Sequence, residues 1–87
     1  MKLKLEMIKR DIAGETYLVP IGEAAHSYNG LFALTEVAGF IWDRIPDAVS
    51  ESDLVNAVLE VYEVDRATAE KDIKEFLGKL REMGIME

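Results

Sequence analysis

The residue types that perform covalent chemistry are scarce in this chain, and where they occur they stand alone. His26 is the only histidine. It lies in a stretch of small residues, Gly22 to Gly30, and reads as a solvated side chain. A general base needs a reacting group within hydrogen-bond reach. There is no cysteine, so thiol nucleophiles, disulfides, cysteine-ligated zinc and iron–sulfur clusters are excluded within the chain. Ser27, Ser50 and Ser52 lack a second histidine or a nucleophile-elbow context. The glycines do not form a phosphate-binding loop. Asp43, Asp47, Asp53 and Asp65 do not have the spacing of a calcium loop. Glu70 with Lys74, and Glu75 with Lys79, are four apart with the acid first, the pattern of helix-surface ion pairs contributing ~0.2–0.5 kcal/mol each. By elimination the sequence predicts a protein that is not an enzyme and holds no cofactor or metal. What remains is recognition through apolar surface and backbone.

The stretch best suited to recognition is Gly30 to Ile45. Leu31-Phe32-Ala33-Leu34 is a short apolar run after a glycine and reads as a strand. Thr35 has the character of a helix N-cap. Val37, Ala38, Ile41, Trp42 and Ile45 then follow helical spacing, and Pro46 is expected to end that helix by displacing Ile45 from helical geometry. Trp42 reads as a core anchor, with an interface contact as the alternative. In the strand, Leu31 and Ala33 face one way and Phe32 and Leu34 the other. Both faces are apolar, whereas helices cover only one side of a small sheet. The second face is therefore covered by a loop or the N-terminus, or it (or the edge beside it) accepts a partner. A free edge offers unpaired N–H and C=O groups to an extended peptide.

The flanking sequence supplies the rest of the scaffold. Leu3, Leu5 and Met7 alternate with charged residues, as in a half-buried strand. The alternation slips at Met7-Ile8, through a bulge or a later strand start. Ala13-Gly14-Glu15 reads as a hairpin turn, Thr16–Val19 as the return strand and Pro20 as its end. Asn29-Gly30 is a turn signal at the end of a loop. Beyond Pro46, Ser50 and Asp53 match a capping box. Leu54, Val55, Val58, Leu59 and Tyr62 form one helical stripe. Asp65 caps a last helix whose apolar face holds Ala69, Ile73, Phe76, Leu77, Leu80 and Met83, with Lys71, Glu75, Gly78 and Glu82 opposite, in solvent. Gly84 is placed as a C-terminal stop. Helices are expected over 36–45, 51–62 and 66–83. The architecture is an α+β domain spanning residues 1–87, with a small three-stranded antiparallel sheet followed by three helices.

Charge narrows the partners. The net charge is −7, and residues 51–87 hold ten acids against five bases. Nucleic-acid binders need a basic footprint, so no nucleic-acid partner is expected. No apolar run approaches the ~20 residues that span a bilayer, and the charged N-terminus is not a signal peptide. Together with the lack of cysteine, this predicts a cytoplasmic protein without a membrane partner.

The strand ending at Pro20-Ile21-Gly22, the Leu34-Thr35 step into a helix holding Ile41-Trp42, the Leu54 to Tyr62 helix and the ending Asp72-Ile73, Phe76-Leu77, Leu80, Gly84-Ile85 together resemble the PqqD family. Its namesake is the peptide chaperone of pyrroloquinoline quinone biosynthesis, and its fold is known more widely as the RiPP recognition element of ribosomally made, post-translationally modified peptides. Thr35 stands where the family commonly has Asn. Asp43-Arg44-Ile45-Pro46-Asp47 replaces a frequent Asp-Gly, and Pro20-Ile21 replaces Pro-Glu, as in a divergent branch.

The resemblance implies a winged-helix-like domain that binds a precursor's leader peptide as a strand beside the third strand, in a groove against the last helix. It implies a radical S-adenosylmethionine (radical SAM) enzyme as the partner that modifies the peptide. By this likeness Leu31, Phe32, Ala33 and Leu34 supply the edge and pockets. Lys74, Leu77 and Arg81 form the other wall, where Lys74 and Arg81 attract acidic leader residues or are simply solvated. The flank near Asp72 and Lys79 is the alternative wall. Two other functions fit the architecture: a winged-helix DNA-binding regulator, which the acidic helices oppose, and a protein–protein module without a peptide client. The chain is expected to be a monomer or homodimer.

Overall fold

The computed structural model describes residues 1–27 and 31–87. The Asn29-Gly30 turn signal lies outside the described residues. The first hairpin pairs β1 (Met7–Ile12) with β2 (Glu15–Pro20), Ile12 opposite Glu15. Only Ala13 and Gly14 connect them, at φ +52° and +83°. Positive φ at both central residues is what lets a two-residue turn follow the right-handed twist of the strands. β3 (Phe32–Leu34) pairs antiparallel with β2, giving the order β1-β2-β3 and leaving β3 at an edge. Between β2 and β3 the expected loop contains one helical turn, α1 (Ala24–Ser27), which carries the exposed His26.

Backbone parity fixes what each edge presents. Ile21 N–H donates to the Glu6 carbonyl at 3.0 Å, one step beyond the Met7–Pro20 pair. In an antiparallel ladder bonded and non-bonded pairs alternate. Tyr17 therefore turns its N–H and C=O toward Arg10 of β1, and Thr16 and Leu18 turn theirs toward Leu34 and Phe32 of β3. Ala33, opposite Tyr17, is left with its N–H and C=O pointing to the open edge.

Three longer helices complete the fold: α2 (Glu36–Arg44), α3 (Glu51–Val61) and α4 (Arg66–Glu82). Thr35 caps α2, its hydroxyl accepting from Ala38 N–H at 3.1 Å. The Asp53 carboxylate reaches back to the Val49 and Ser50 N–H groups at 2.8 and 3.4 Å, and Asp65 accepts from Thr68 N–H at 2.8 Å. Pro46 does not displace Ile45, which keeps helical angles of −54° and −46°; the chain tightens into a 3-10 turn over Ile45–Asp47. The fully buried Ile45 side chain holds a conformation that the following proline ordinarily disfavours. At the end of α4, Gly84 takes φ +73°. Ile85 N–H reaches the Leu80 carbonyl and Gly84 N–H the Arg81 carbonyl, a Schellman stop with both Leu80 and Ile85 fully buried.

The core lies between the inner sheet face and the helices. Leu18, Ile41, Trp42, Leu54, Ile73, Leu77 and Leu80 are buried in it. The alternation of Leu3, Leu5 and Met7 points their side chains inward, but the strand proper begins at Met7. Leu3 bridges Met86 antiparallel, and Lys4 N–H donates to Ile85 O at 2.7 Å. Ion pairs among the described residues join Lys9 to Asp43 and Arg66 to Glu70, so the expected pairs Glu70–Lys74 and Glu75–Lys79 are not formed. No helix among the described residues is long and apolar enough to cross a membrane.

Candidate peptide groove

A groove of about 320 Å³ runs between β3 and α4. Its sheet wall is Phe32, Ala33 and Leu34. Phe32 is half-buried and Leu34 buried on the inner face, while Ala33 is exposed at the edge. Its floor is the first turns of α2, through Val37, Ala38 and Ile41. The single-residue cap at Thr35 puts these side chains beside the strand, because nothing separates the end of β3 from the start of the helix. The far wall is Asp72, Glu75, Phe76 and Lys79 of α4.

Of the residues expected at the site, Phe32, Ala33 and Leu34 meet in this groove, and Leu31 lies just before β3, half-exposed at 52 %. Lys74, Leu77 and Arg81 are not brought to β3. Leu77 is fully buried in the core. Lys74 faces α3, in a hollow with Glu51, Ser52, Val55 and Arg66. The Arg81 Nε donates to the Glu87 carbonyl at 3.1 Å. The reason is rotational. At about 100° per residue Phe76 and Leu77 stand on opposite borders of one apolar stripe, and α4 packs with the Phe76 border toward β3. Asp72 and Lys79 share that border. Glu75, expected in solvent, is exposed but lines the groove. The signal that finds Val37 and Ala38 from sequence is the immediate strand-to-cap junction. Nothing in the sequence singles out Glu75.

A second cavity of about 220 Å³ continues from the first, sharing Val37, Ile41 and Asp72. It is closed by Val58, Tyr62 and Val64 of α3 and the connection after it, and by Ala69 and Ile73 of α4. Tyr62 is fixed edge-on against Phe40, with ring centroids 5.4 Å apart, and the Arg44 guanidinium lies 4.4 Å over the Phe40 ring. Burial and then the neighbouring Glu36 carboxylate hold the Tyr62 phenol above its ordinary pKa, against an opposing pull from Lys9. Tyr62 is thus neutral near pH 7. No group of three or more His, Cys, Asp or Glu side chains that could hold a metal occurs among the described residues.

Two solved structures share this architecture over nearly their whole length. One is described as lasso peptide synthetase B1 complexed with the leader peptide; it is 26 % identical, with a TM-score of 0.76 over 99 % of this chain and 95 % of that one. The other, TbiB1 in complex with the TbiA(beta) leader peptide, is also 26 % identical, with a TM-score of 0.74 over 100 % of this chain and 95 % of its own. No curated protein sequence matches the chain significantly. The family model for coenzyme PQQ synthesis protein D matches residues 15–86, from the start of β2 to the residue bridged to Leu3, and the chain belongs to the PqqD family.

Proposed function

We propose that the chain is a non-catalytic RiPP recognition element that binds the leader of a ribosomal precursor peptide and presents it to a modifying enzyme in the cytoplasm. The leader adds as a strand beside β3 and lies in the groove against α4. The observation that carries this reading is the outward N–H and C=O of Ala33 beside an apolar groove, in a chain similar to two structures that hold leader peptides. Backbone pairing gives sequence-tolerant affinity, and the pockets for alternate side chains give selectivity. Leu31 extends the edge. The wall is Asp72, Glu75, Phe76 and Lys79 in place of Lys74, Leu77 and Arg81. The protein binds its peptide as a monomer or homodimer and turns nothing over by itself.

On the family resemblance the partner is a radical SAM enzyme. The two lasso peptide synthetase neighbours favour a second reading, in which the precursor passes to lasso-forming machinery. Purifying the tagged protein with its precursor separates them, since only the first brings down an iron-containing partner. The binding reading itself is tested by amide NMR on the labelled protein, titrated with the leader of a precursor encoded beside its gene. Shifts at Ala33 and along residues 72–79 support it. Absence of shifts with every neighbouring precursor overturns it.

A further inference from the structure

The α4 wall carries Asp72, Glu75 and Lys79, so its charge is net negative where it meets an incoming strand. All three are exposed, and none belongs to an ion pair among the described residues. Lys79 stands at one end of this row. Asp72 stands at the other, where it also borders the second cavity, whose remaining lining is mostly apolar. That cavity is smaller than the ~300–1,000 Å³ of sites holding whole small molecules, and suits a side chain better than a separate ligand. A strand closing over the groove excludes water from Asp72 and Glu75 on one side, which strengthens their interaction with a cation and penalises an anion.

Resting on the peptide-groove reading, we propose that the groove selects its client by sequence: the bound strand carries a Lys or Arg facing Asp72 and Glu75, next to a large apolar side chain that enters the second cavity. Asp72 is the specificity-determining residue, because it alone of the three acts on both compartments. This reverses the preference for acidic leaders that Lys74 and Arg81 would give, and those two side chains face elsewhere.

The test is selection of a displayed library of short random peptides on the intact protein and on its D72K variant. Asp72 is exposed in mid-helix, so neither D72K nor D72N removes core contacts. The wild-type pool is expected to be enriched in Lys or Arg beside a large apolar residue, and the D72K pool in Asp or Glu. Against a synthetic wild-type binder, D72N lowers affinity about three- to tenfold and leaves affinity for the Lys→Gln form of that peptide unchanged. Binders that shift the Ala33 and Phe76 amides, yet show no basic enrichment and no response to D72N, overturn the charge selection and leave the peptide groove standing. A library that yields no binder perturbing Ala33 overturns both.

Discussion

The two edges of the sheet flank the same central strand, yet their surroundings are opposite. Opposite Tyr17, Arg10 of β1 turns its N–H and C=O inward to β2 and Ala33 of β3 turns its own outward, so the open backbone groups belong to Lys9 and Asp11 at one edge and to Ala33 at the other. Along β1 the side chains are Lys9, Arg10 and Asp11, with Lys9 tied to Asp43. The hollow beside that hairpin is mostly polar, lined by Lys9, Asp11, Glu15, Thr16 and Glu36 together with Leu34 of β3. Along β3 the neighbours are Phe32, Leu34, Ile41 and Phe76. Unpaired N–H and C=O groups are available on both sides. Charged side chains make the β1 edge a poor template for strand addition, while the β3 edge keeps apolar pockets that reward it. On the proposed reading, the side chains beside an open edge decide whether it accepts a strand.

The contrast between the two edges predicts effects of graded size. The largest effect is expected at Leu18, fully buried in the central strand. Leu18→Ala removes support from both edges and should cost about 2–5 kcal/mol in a urea melt, with amide protection falling in β1 and β3 together. Loss confined to one strand would show that the edges do not share a sheet core. Next is Ala33→Pro, which deletes an outward N–H without taking a bond from β2. Leader affinity should fall about tenfold or more, from a lost hydrogen bond and a ring in the peptide's path. The matched Asp11→Pro at the other edge should leave affinity within about twofold, and equal losses in the two variants, by calorimetry, would erase the contrast.

Smaller still is Ala13→Asn at φ +52°. Asn tolerates left-handed backbone better than Ala, so the hairpin should gain up to about 1 kcal/mol in stability with no change in peptide affinity. A change in affinity would tie the β1 side to binding. The smallest effect concerns pH. The Thr68 backbone N–H holds the Asp65 carboxyl below its ordinary pKa, so this cap stabilises the folded state above the unfolded carboxylate's pKa of about 3.9. Its contribution disappears as pH falls through the folded value. Asp65→Asn should flatten the acid limb of the stability curve, with fraying at the start of α4 and none in β1. An unchanged acid limb would remove Asp65 from that account.

Much of the scaffold was legible because its signals are local. Thr35, Asp53 and Asp65 cap helices through bonds to residues three or four positions away, and Gly84 ends α4 through a conformation that glycine adopts readily. Other features depend on distant partners. The inward alternation of Leu3 and Leu5 gave the correct face but not the neighbour, which is the far end of the chain. Ile45 keeps helical angles before Pro46 because the core buries its side chain.

Residue type and spacing over a few positions were enough to determine the strand-to-cap-to-helix junction at Leu34-Thr35 and the apolar stripe of α4. The sequence could not choose between the two borders of α4. Phe76 with Asp72 and Lys79, and Leu77 with Lys74 and Arg81, are symmetric in helical periodicity. Only the packing of α4 against α2 and α3, a matter of rotation about its axis, turned the Phe76 border toward β3 and gave the groove an acidic wall.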